Sequence, residues 1–569
     1  MIRISLLFLA FASFLQAQQP NIVIFFSDDH TNQAIGAYQD LPDAAPQDAL
    51  FKDWAVAETP GIDRLADQGL VFRGSYVNNS ICSPSRANLL TGLHSHANGV
   101  LNNRQTFDGS QQTFPKLLQS AGYNTAIFGK WHLKSTPTGF DQYEVLSGDN
   151  GQGSYYGPVL STPGGNVTYA GEYVADVTTD RAVNWLQARI DSSASDPFLM
   201  FVNHKGTHRV WQPGPQETDP AVFRPVEWDY SVTPNPDTAP GDPASWTPAT
   251  VPVPPNFDDR LTGYATRASG ASAQSMEVAT NLGLGPDLKI EGSSFGGIAY
   301  DEVRTWWNAN KGSMSAAEKH AYYLQRYLKD YMLTGKAVDR GVGDVLDFLE
   351  VNDLDHNTII IYASDQGFYL GEHGWYDKRW MYTESFRTPL IIQWKDASGN
   401  PVTPTGAVAE EMVQVMDIGP TVLDAAGVSP TTAMHGSSFL GYLTAATGDE
   451  PVAWQDSLYY HYHEGASAVH NVQKHYGVFD GRYKLINHYE LNSGQQWELF
   501  DLENDPLEMN NLLYNSTTGI IDNPEDGIEG DESFQTLVRD LMVELSDLRT
   551  RFNDNTGTNF SIPGIFPAQ

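Results

Sequence analysis

Two short runs of apolar and β-branched residues end in the same kind of acidic sequence. The first, Asn21–Phe26, stops at Ser27-Asp28-Asp29, and the second, Thr358–Ala363, stops at Ser364-Asp365-Gln366. Runs of this length and composition predict buried strands with polar side chains at their carboxyl ends. In open α/β sheets, ligands gather at the carboxyl ends of the strands. The pattern therefore predicts a site to which both acidic clusters contribute.

A long helical pattern precedes the second run, and other apolar runs indicate further strands. Apolar residues at three- and four-residue spacing run from Leu324 to Leu349, which predicts an amphipathic helix. Further strands are predicted at Thr125–Phe128, Phe198–Val202 and Leu390–Ile392. Alternating strands and helices are typical of α/β domains. We therefore expect a large sheet flanked by helices over residues 18–430.

The periodic pattern changes in two other regions. Residues 212–314 are rich in Pro, Asp, Thr, Gly and Trp without a sustained period, which predicts a long surface insertion. From residue 431 onward, strand-like segments at Tyr459–His463, Tyr476–Phe479 and Arg482–Asn487 predict a small antiparallel sheet. The apolar spacing of Phe534–Leu548 predicts a helix. We therefore expect residues 431–569 to form a C-terminal subdomain of antiparallel sheet plus helix.

The first 17 residues have the features of an export signal. Arg3 precedes the apolar segment Ile4–Leu15, and Gln16-Ala17 follows as a cleavage site. This segment is too short to span a bilayer, and no later stretch approaches the roughly 20 apolar residues that a transmembrane helix needs. We therefore predict a signal peptide over residues 1–17, no membrane span, and a periplasmic or secreted protein.

The charge balance excludes one large class of partners. The chain has 569 residues with 34 Lys+Arg and 69 Asp+Glu, a formal net charge of −35. Such a chain repels phosphate backbones, which excludes general nucleic-acid binding. Hydrophobic residues make up 41% and aromatic residues 12%, which indicates a packed core rather than disorder. Any site for an anion must therefore be locally cationic.

The only cysteine of the chain, Cys82, begins a distinctive motif. In an exported protein a single cysteine is either a leftover buried thiol or a chemically special residue. Residues 82–92 read Cys-Ser-Pro-Ser-Arg-Ala-Asn-Leu-Leu-Thr-Gly, which resembles the C-x-P-S-R-x-x-x-L-T-G motif of the type I sulfatases. The resemblance implies that a maturation enzyme oxidises Cys82 to formylglycine (3-oxoalanine). The hydrated aldehyde offers one hydroxyl to attack sulfur and a second whose deprotonation expels sulfate.

The resemblance extends over nearly the whole chain. Gly129–His132, Asn203–His208 and Asp377-Lys378 fall where sulfatases keep their active-site groups. Gly371–Arg379 resembles the polysaccharide and glycosaminoglycan sulfatases, among them the N-acetylglucosamine-6-sulfatases. The resemblance implies an alkaline-phosphatase-like α/β fold and hydrolysis of sulfate esters, with cleavage of the S–O bond. It also implies a sulfated polysaccharide or its oligosaccharides as substrate.

Three carboxylates and one amide form the predicted metal site. Asp28, Asp29, Asp365 and the amide oxygen of Gln366 are hard oxygen donors, which suit Ca²⁺ or Mg²⁺. Acidic residues at a single strand end could instead be solvated caps, but two such clusters beside the cysteine motif favour a metal. The resemblance implies calcium, held also by the formylglycine oxygen at position 82. Many sulfatases have Asn at the position of Gln366, so the metal identity stays open.

The resemblance also assigns roles to five cationic or titratable side chains. Arg86, Lys130 and Lys378 resemble the residues with which sulfatases bind the sulfate group. His132 corresponds to the histidine that deprotonates the spare hydroxyl of the sulfated intermediate. His208, together with Lys378, corresponds to the group that protonates the leaving alkoxide. A histidine with a pKa of about 6.5 suits either proton transfer.

Five more residues are candidates for sugar binding because they lie in segments that flank the family's pocket. These candidates are His373, Arg379, His461, His463 and His475.

Two other functions fit parts of the pattern. One is a phosphoric or phosphonate ester hydrolase of the same superfamily, which the turnover of nitrophenyl sulfate against phosphate esters would distinguish. The other is a catalytically silent glycan-binding protein, which would lack a nucleophile, metal ligand or sulfate-binding residue, and none is missing.

Overall fold

A computed structural model gives the structure of residues 19–562 with internal gaps. The residues that it does not describe within this range are 46, 53, 55–56, 210, 216–251, 258, 260–266, 269–270, 272–273, 279–311, 314–315, 445–453, 466–468, 490–493, 517–519, 526 and 528–529. The predicted signal peptide (1–17) and most of the predicted insertion (212–314) therefore lie outside the described residues.

Strands and helices alternate through the first two thirds of the described chain. The strands are β1 (Asn21–Ser27), β2 (Leu70–Tyr76), β3 (Asn124–Gly129), β4 (Gln142–Ser147), β5 (Val159–Thr162), β6 (Gly165–Thr168), β7 (Phe198–Asn203), β8 (Thr358–Ser364), β9 (Tyr369–Leu370), β10 (Tyr376–Asp377), β11 (Leu390–Lys395), β12 (Ala407–Gln414), β13 (Leu458–Tyr462), β14 (His475–Phe479), β15 (Tyr483–His488), β16 (Gln496–Asp501), β17 (Tyr514–Asn515) and β18 (Ile520–Ile521). The α-helices are α1 (Gly36–Gln39), α2 (Pro60–Asp67), α3 (Cys82–Thr91), α4 (Ser95–Asn98), α5 (Phe114–Ser120), α6 (Val174–Asp191), α7 (Ala316–Val351), α8 (Thr383–Phe386), α9 (Ile418–Ala425), α10 (Leu440–Thr444) and α11 (Glu532–Arg551).

The main sheet has ten strands in the described part of the chain, in the order β12-β2-β11-β8-β1-β7-β3-β4-β5-β6. Its centre, β8-β1-β7-β3-β4, is parallel, whereas β11 runs antiparallel to β8. Every residue of β7 and β8 is buried, as expected for parallel strands that are covered on both faces. The predicted large α/β sheet is confirmed, with mixed strand directions.

The two faces of the sheet bury alternate residues of β1. Val23 and Phe25 pack with the apolar side of α7, whereas Ile24 and Phe26 pack in the core that includes α3 and α5. This follows from the two-residue period of side chains along a strand. The predicted long helix through Leu324–Leu349 is confirmed as α7. Helix α3, which begins at Cys82, therefore lies on the face opposite the C-terminal half of α7, whereas the residues of α7 from Leu324 to Leu333 belong to the same core as α3.

Helices α2 and α7 cross closely enough that glycine is required at Gly61. A Cβ atom there would lie 2.5 Å from the carbonyl oxygen of Asp339. At the same crossing, the buried Asp339 carboxylate accepts a hydrogen bond of 2.7 Å from the Ile62 amide. Burial raises the pKa of Asp339 to about 7.

This buried carboxyl group makes the stability of the fold depend on pH. The folded chain keeps a proton on Asp339 that the unfolded chain loses, so stability falls as pH rises from about 4 to about 7. The Asp339→Asn variant has no carboxyl group to ionise at this position. As pH rises from about 4 to about 7, we therefore expect the difference in free energy of unfolding between the variant and the wild type to shift in favour of the variant by on the order of 4 kcal/mol. Urea unfolding at several pH values measures this difference. Glu350→Gln, at an exposed position of the same helix, is the control, and a parallel pH dependence of Asp339→Asn and wild type would contradict the prediction.

The C-terminal part forms the predicted smaller sheet plus helix. Strands β13-β14-β15-β16 form a four-stranded antiparallel sheet, and the apolar side of α11 packs against it. The sheet also contacts the larger α/β part, since the His461 amide donates a hydrogen bond of 3.0 Å to the carbonyl of Asn78. Among the described residues, none of the helices is both long and apolar enough to cross a membrane.

The described segments of the predicted insertion do not lie on the surface throughout. Arg267 and Met276 are buried, and Arg267 forms an ion pair of 2.7 Å with Asp259. Both residues of this pair also contact His373, at 2.9 and 2.7 Å. A buried charge requires such partners. These segments thus pack on the region that follows β9 rather than extending into solvent.

Candidate active site

Strand register brings the two acidic clusters together at one edge of the main sheet. Ser27 of β1 pairs with Ser364 of β8 in a parallel ladder, so Asp28 and Asp365 leave the sheet side by side. Strand β7 lies beside β1, and β3 lies beside β7, so Lys130 leaves β3 at the same edge. Carboxyl ends of parallel strands meet in this way because the strands share one direction. The predicted joint site is therefore present.

Oxygen donors are concentrated at this edge. Carboxylate oxygens of Asp28, Asp29 and Asp365 lie within 4.8 Å of one another, and all three side chains are buried. Asp28 Oδ1 and the amide oxygen of Gln366 have no hydrogen-bond partner among the described residues. Burial and the charge of Asp28 raise the pKa of Asp365 to about 7. Hard donors, unsatisfied oxygens and crowded negative charge all fit a divalent cation such as Ca²⁺.

Three cationic side chains are held against these carboxylates. Arg86 donates to Asp365 at 2.9 Å, Lys130 forms an ion pair with Asp28, and Lys378 lies 2.5 Å from both carboxylate oxygens of Asp29. Burial raises the pKa of Asp28, but the charge of Lys130 reverses this and lowers the pKa well below its usual range. Three negative and three positive charges balance. A bound dication would therefore leave net positive charge for an anionic substrate.

Cys82 is the first residue of α3 and is fully buried beside this cluster. Its sulfur atom is 3.6 Å from the amide nitrogen of Gln366. It also belongs to a group with Asp28 and His208 whose ligand atoms lie within 4.8 Å of one another. Burial and the charge of Asp28 raise the pKa of the Cys82 thiol to about 12. An unmodified thiol in this place is therefore protonated at neutral pH and is a weak nucleophile.

Both predicted proton-transfer histidines lie at the same edge. His132 follows β3 and lies near the Ser83 hydroxyl, with its Nδ1 atom 3.5 Å away. His208 lies beside Asp28 and Cys82, and its backbone amide donates to the Lys205 carbonyl at 3.0 Å. Burial lowers the pKa of both imidazoles well below the usual range. Each is therefore neutral in the free protein and able to accept a proton at neutral pH.

A second polar group, next to Lys378, includes residues that the sequence analysis did not select. Asp377 is fully buried, and its Oδ2 atom is 2.5 Å from Arg379, 2.7 Å from His470 and 3.3 Å from Arg209. Asp377 Oδ1 is 3.8 Å from the Lys378 ammonium. Two of these residues could have been selected from the sequence because they neighbour predicted site residues: Arg209 follows His208, and Asp377 precedes Lys378. His470 had no such signal.

The predicted sugar-binding residues are distributed over four places, three of which hold one residue each. Arg379 lies with Asp377 beside the active-site lysine Lys378. His373 is fully buried and is held by Asp259 and Arg267. His475 stacks between Trp380 and the aromatic side chains of the C-terminal sheet. The structure therefore brings only Arg379 of these three next to the catalytic cluster.

The other two candidates, His461 and His463, lie together on or just after β13. A nitrogen of each imidazole and a carboxylate oxygen of Asp554 lie within 4.8 Å of one another. Burial lowers the pKa of both histidines. They form a group of their own, separate from the three carboxylates at the strand ends.

A buried cysteine, three carboxylates and three cations thus meet at the strand ends of a large mixed sheet. A model of the sulfatase family matches residues 20–428, and a model of the N-sulphoglucosamine sulphohydrolase C-terminal region matches residues 371–524. The chain belongs to the sulfatase family and is a sulfuric ester hydrolase. The resemblance drawn from the Cys82 motif is thereby confirmed.

Individual relatives are similar over nearly the full length. The N-acetylglucosamine-6-O-sulfatase of Bacteroides thetaiotaomicron is 34% identical, over 95% of this chain and 88% of its own. A solved structure of a protein in complex with its substrate, D-glucosamine-2-N,6-O-disulfate, has a TM-score of 0.76 at 34% identity and covers 95% of this chain and 99% of that chain. The phosphonate monoester hydrolase of Agrobacterium radiobacter, at 17% identity and a TM-score of 0.60 over 94% and 96% of the chains, shares the fold.

Proposed function

We propose that this protein is an exported, formylglycine-dependent and calcium-dependent sulfatase that removes the 6-O-sulfate of glucosamine units in glycosaminoglycan fragments. The observation that carries the proposal is the position of Cys82, at the start of α3 between the carboxylates and three cations. The 34% identity to an N-acetylglucosamine-6-O-sulfatase supports the sugar. The partners are then the sulfated glycan and the maturation enzyme, and the location is the periplasm or the exterior.

The residues at the strand ends would bind two different groups, the metal ion and the sulfate. Asp28, Asp29, Asp365 and Gln366 would hold the metal, which when bound withdraws charge from a sulfate oxygen. Arg86, Lys130 and Lys378 would bind the sulfate group. They are fixed by ion pairs in advance, so that little reorganisation accompanies the reaction.

Two histidines would move the protons. The hydrated formylglycine would supply one hydroxyl for attack on sulfur, and a carboxylate of the strand-end cluster would accept the proton that this hydroxyl loses. Deprotonation of the second hydroxyl would later expel sulfate and restore the aldehyde. His208, beside Cys82, is neutral in the free protein, so it would first take up a proton, which the negative charge of a bound sulfate ester favours. It would then donate this proton to the sugar oxygen as the bond between that oxygen and sulfur breaks. His132 would accept the proton from the second hydroxyl. Both are general acid–base steps that require the histidine within hydrogen-bond reach of the reacting oxygen.

The charged group around Asp377 is suited to the sugar side of the pocket. Asp377 offers acceptor oxygens, and Arg379, Arg209 and His470 offer donors, within one cluster next to Lys378. Sugar hydroxyls both donate and accept hydrogen bonds, so a mixed set of this kind can orient them. Such binding energy would position the ester for attack.

His208→Ala tests the assignment of the acid. A sugar alkoxide leaves poorly without a proton, whereas nitrophenolate leaves readily, so the variant should lose much more activity on the sulfated sugar than on nitrophenyl sulfate. We expect a loss of on the order of 10²–10⁴-fold in kcat/KM on glucosamine-6-sulfate. Equal losses on both substrates would contradict the role of His208.

Reaction in ¹⁸O-labelled water tests the bond that breaks. Label confined to the released sulfate indicates S–O cleavage, whereas label in the sugar hydroxyl indicates attack at carbon and would overturn the mechanism.

The same protein should turn over nitrophenyl sulfate faster than nitrophenyl phosphate or phosphonate esters. A reversed preference would favour the phosphoric or phosphonate ester hydrolase instead.

A further inference from the structure

A second group of side chains of the types that bind metals forms a cluster of its own, where the larger α/β part meets the C-terminal sheet. His461 and His463 come from β13 and the residue that follows it, Asp554 follows α11, and His96 belongs to α4. The carboxylate oxygen Oδ2 of Asp554 is 2.7 Å from His461 Nδ1 and 3.5 Å from His96 Nδ1. The rings of His461 and His463 are 3.6 Å apart between centroids.

The two oxygens of Asp554 have different partners. Oδ1 accepts hydrogen bonds from the backbone and the hydroxyl of Thr556, at 2.9 and 2.5 Å, which fixes the carboxylate in the turn after α11. Oδ2 faces the imidazoles and the Tyr459 hydroxyl, which is 2.7 Å away. Arg549 donates to the backbone carbonyl of Asp554 at 3.4 Å. Among the described residues, the ion-pair partners of the carboxylate are histidines.

The cluster contains buried donors without partners. His463 is 8% exposed and His94, whose ring stacks with that of His96, is 2% exposed. The Nε2 atom of each has no hydrogen-bond partner among the described residues. A buried imidazole nitrogen without a partner costs free energy. The Asp554 side chain is also fully buried, and its ion-pair partners among the described residues are histidines. Both features are relieved by a cation that binds nitrogen.

We propose that Asp554, His461 and His463, with His96 beside them, bind a Zn²⁺ ion that joins the C-terminal sheet and helix α11 to the catalytic part. Imidazole nitrogen with one carboxylate oxygen is a donor set that Zn²⁺ prefers, whereas Ca²⁺ prefers oxygen alone. Because these ligand residues are buried, the ion would be structural. The protein would then hold two chemically different metals.

Co²⁺ serves as the probe, since tetrahedral Co²⁺ bound to nitrogen absorbs visible light strongly and octahedral Co²⁺ bound to oxygen absorbs weakly. Full-length protein, freed of metal and returned to excess Ca²⁺, should bind one Co²⁺ per chain with visible bands, and one equivalent of Zn²⁺ should remove them. The thermal midpoint should rise with Zn²⁺ concentration at constant Ca²⁺.

Variants locate the ion. Loss of a residue that only hydrogen-bonds to a metal ligand lowers metal affinity by roughly 10- to 100-fold. Asp554→Asn and His463→Gln remove ligands themselves, so each should weaken Co²⁺ binding by at least that factor. His475→Gln replaces a buried histidine on the neighbouring strand β14 and is the matched control, so it should keep the bands. Cys82→Ser should keep them as well, since the active site is not involved.

Several outcomes would overturn the proposal. One is the absence of visible bands together with a thermal midpoint that does not respond to Zn²⁺. Another is bands that persist in His463→Gln but vanish in Cys82→Ser, which would place the ion in the active site. Should Asp554→Asn fail to fold, which circular dichroism reports, His463→Gln and the response of the wild type to Zn²⁺ decide the question.

Discussion

Cys82→Ala is expected to lose at least about 10⁴-fold in turnover of both nitrophenyl sulfate and sulfated sugar, because the variant has no nucleophile. Cys82→Ser should be equally inactive when made in a host whose maturation enzyme acts on cysteine. The serine hydroxyl has no second hydroxyl with which to release sulfate. Initial rates with both substrates measure the loss, and circular dichroism verifies the fold.

The mass of the peptide that contains Cys82 completes this test. In active protein the peptide should carry formylglycine, and activity should scale with the modified fraction. Protein made without the maturation enzyme should contain the thiol and be inactive, since burial raises the pKa of that thiol to about 12. Full turnover by the unmodified form would refute the proposed nucleophile.

Removal of the metal is expected to have the second largest effect. A bound metal stabilises charge in the transition state by several kcal/mol, and its loss corresponds to a rate decrease of at least about 100-fold. Exhaustive chelation should therefore lower kcat/KM by at least that factor. Ca²⁺ added alone, without Zn²⁺, should restore the activity, which separates this site from the histidine cluster. Undiminished activity after chelation would remove the metal from the reaction.

Two aspartates next to the same strand make a matched pair for this experiment. Asp365→Asn removes a charge at the carboxyl end of β8 and should weaken activation by Ca²⁺. Asp355→Asn removes a buried charge just before the amino end of β8, where Asp355 pairs with Lys395 at 2.6 Å. The second variant should keep the wild-type dependence on Ca²⁺, and equal weakening in both would indicate a general loss of stability.

Local patterns were sufficient to predict the centre of the fold. The apolar runs at Asn21–Phe26 and Thr358–Ala363 are β1 and β8, within one residue at their ends. Buried parallel strands are nearly continuous apolar runs, and they are therefore conspicuous in the sequence. Two strands toward one side of the sheet, the edge strand β12 and its neighbour β2, were missed. Leu70–Tyr76 contains Arg and Gly, and Ala407–Gln414 contains two adjacent Glu, so neither has a clear period.

The parts of the site that depend on distant pairs could not be predicted in the same way. Arg209 and His470 meet at Asp377 although they are 261 residues apart, and no local period encodes such a contact. Burial of histidines is equally nonlocal. His461 and His373 have the residue type expected of a sugar-binding surface, but the structure buries each beside its own aspartate.

Complete burial of Cys82 constrains the order of events while the protein is made. Its sulfur atom contacts the amide of Gln366, which lies 284 residues further along the chain, and the side chain is buried in the folded protein. The proposed maturation enzyme is a whole protein, far larger than a sulfated sugar unit, and would therefore act on a nascent or still unfolded chain. Folding that is faster than oxidation would leave the thiol unmodified. The yield of active enzyme would therefore depend on the rate of oxidation relative to the rate at which the sheet forms.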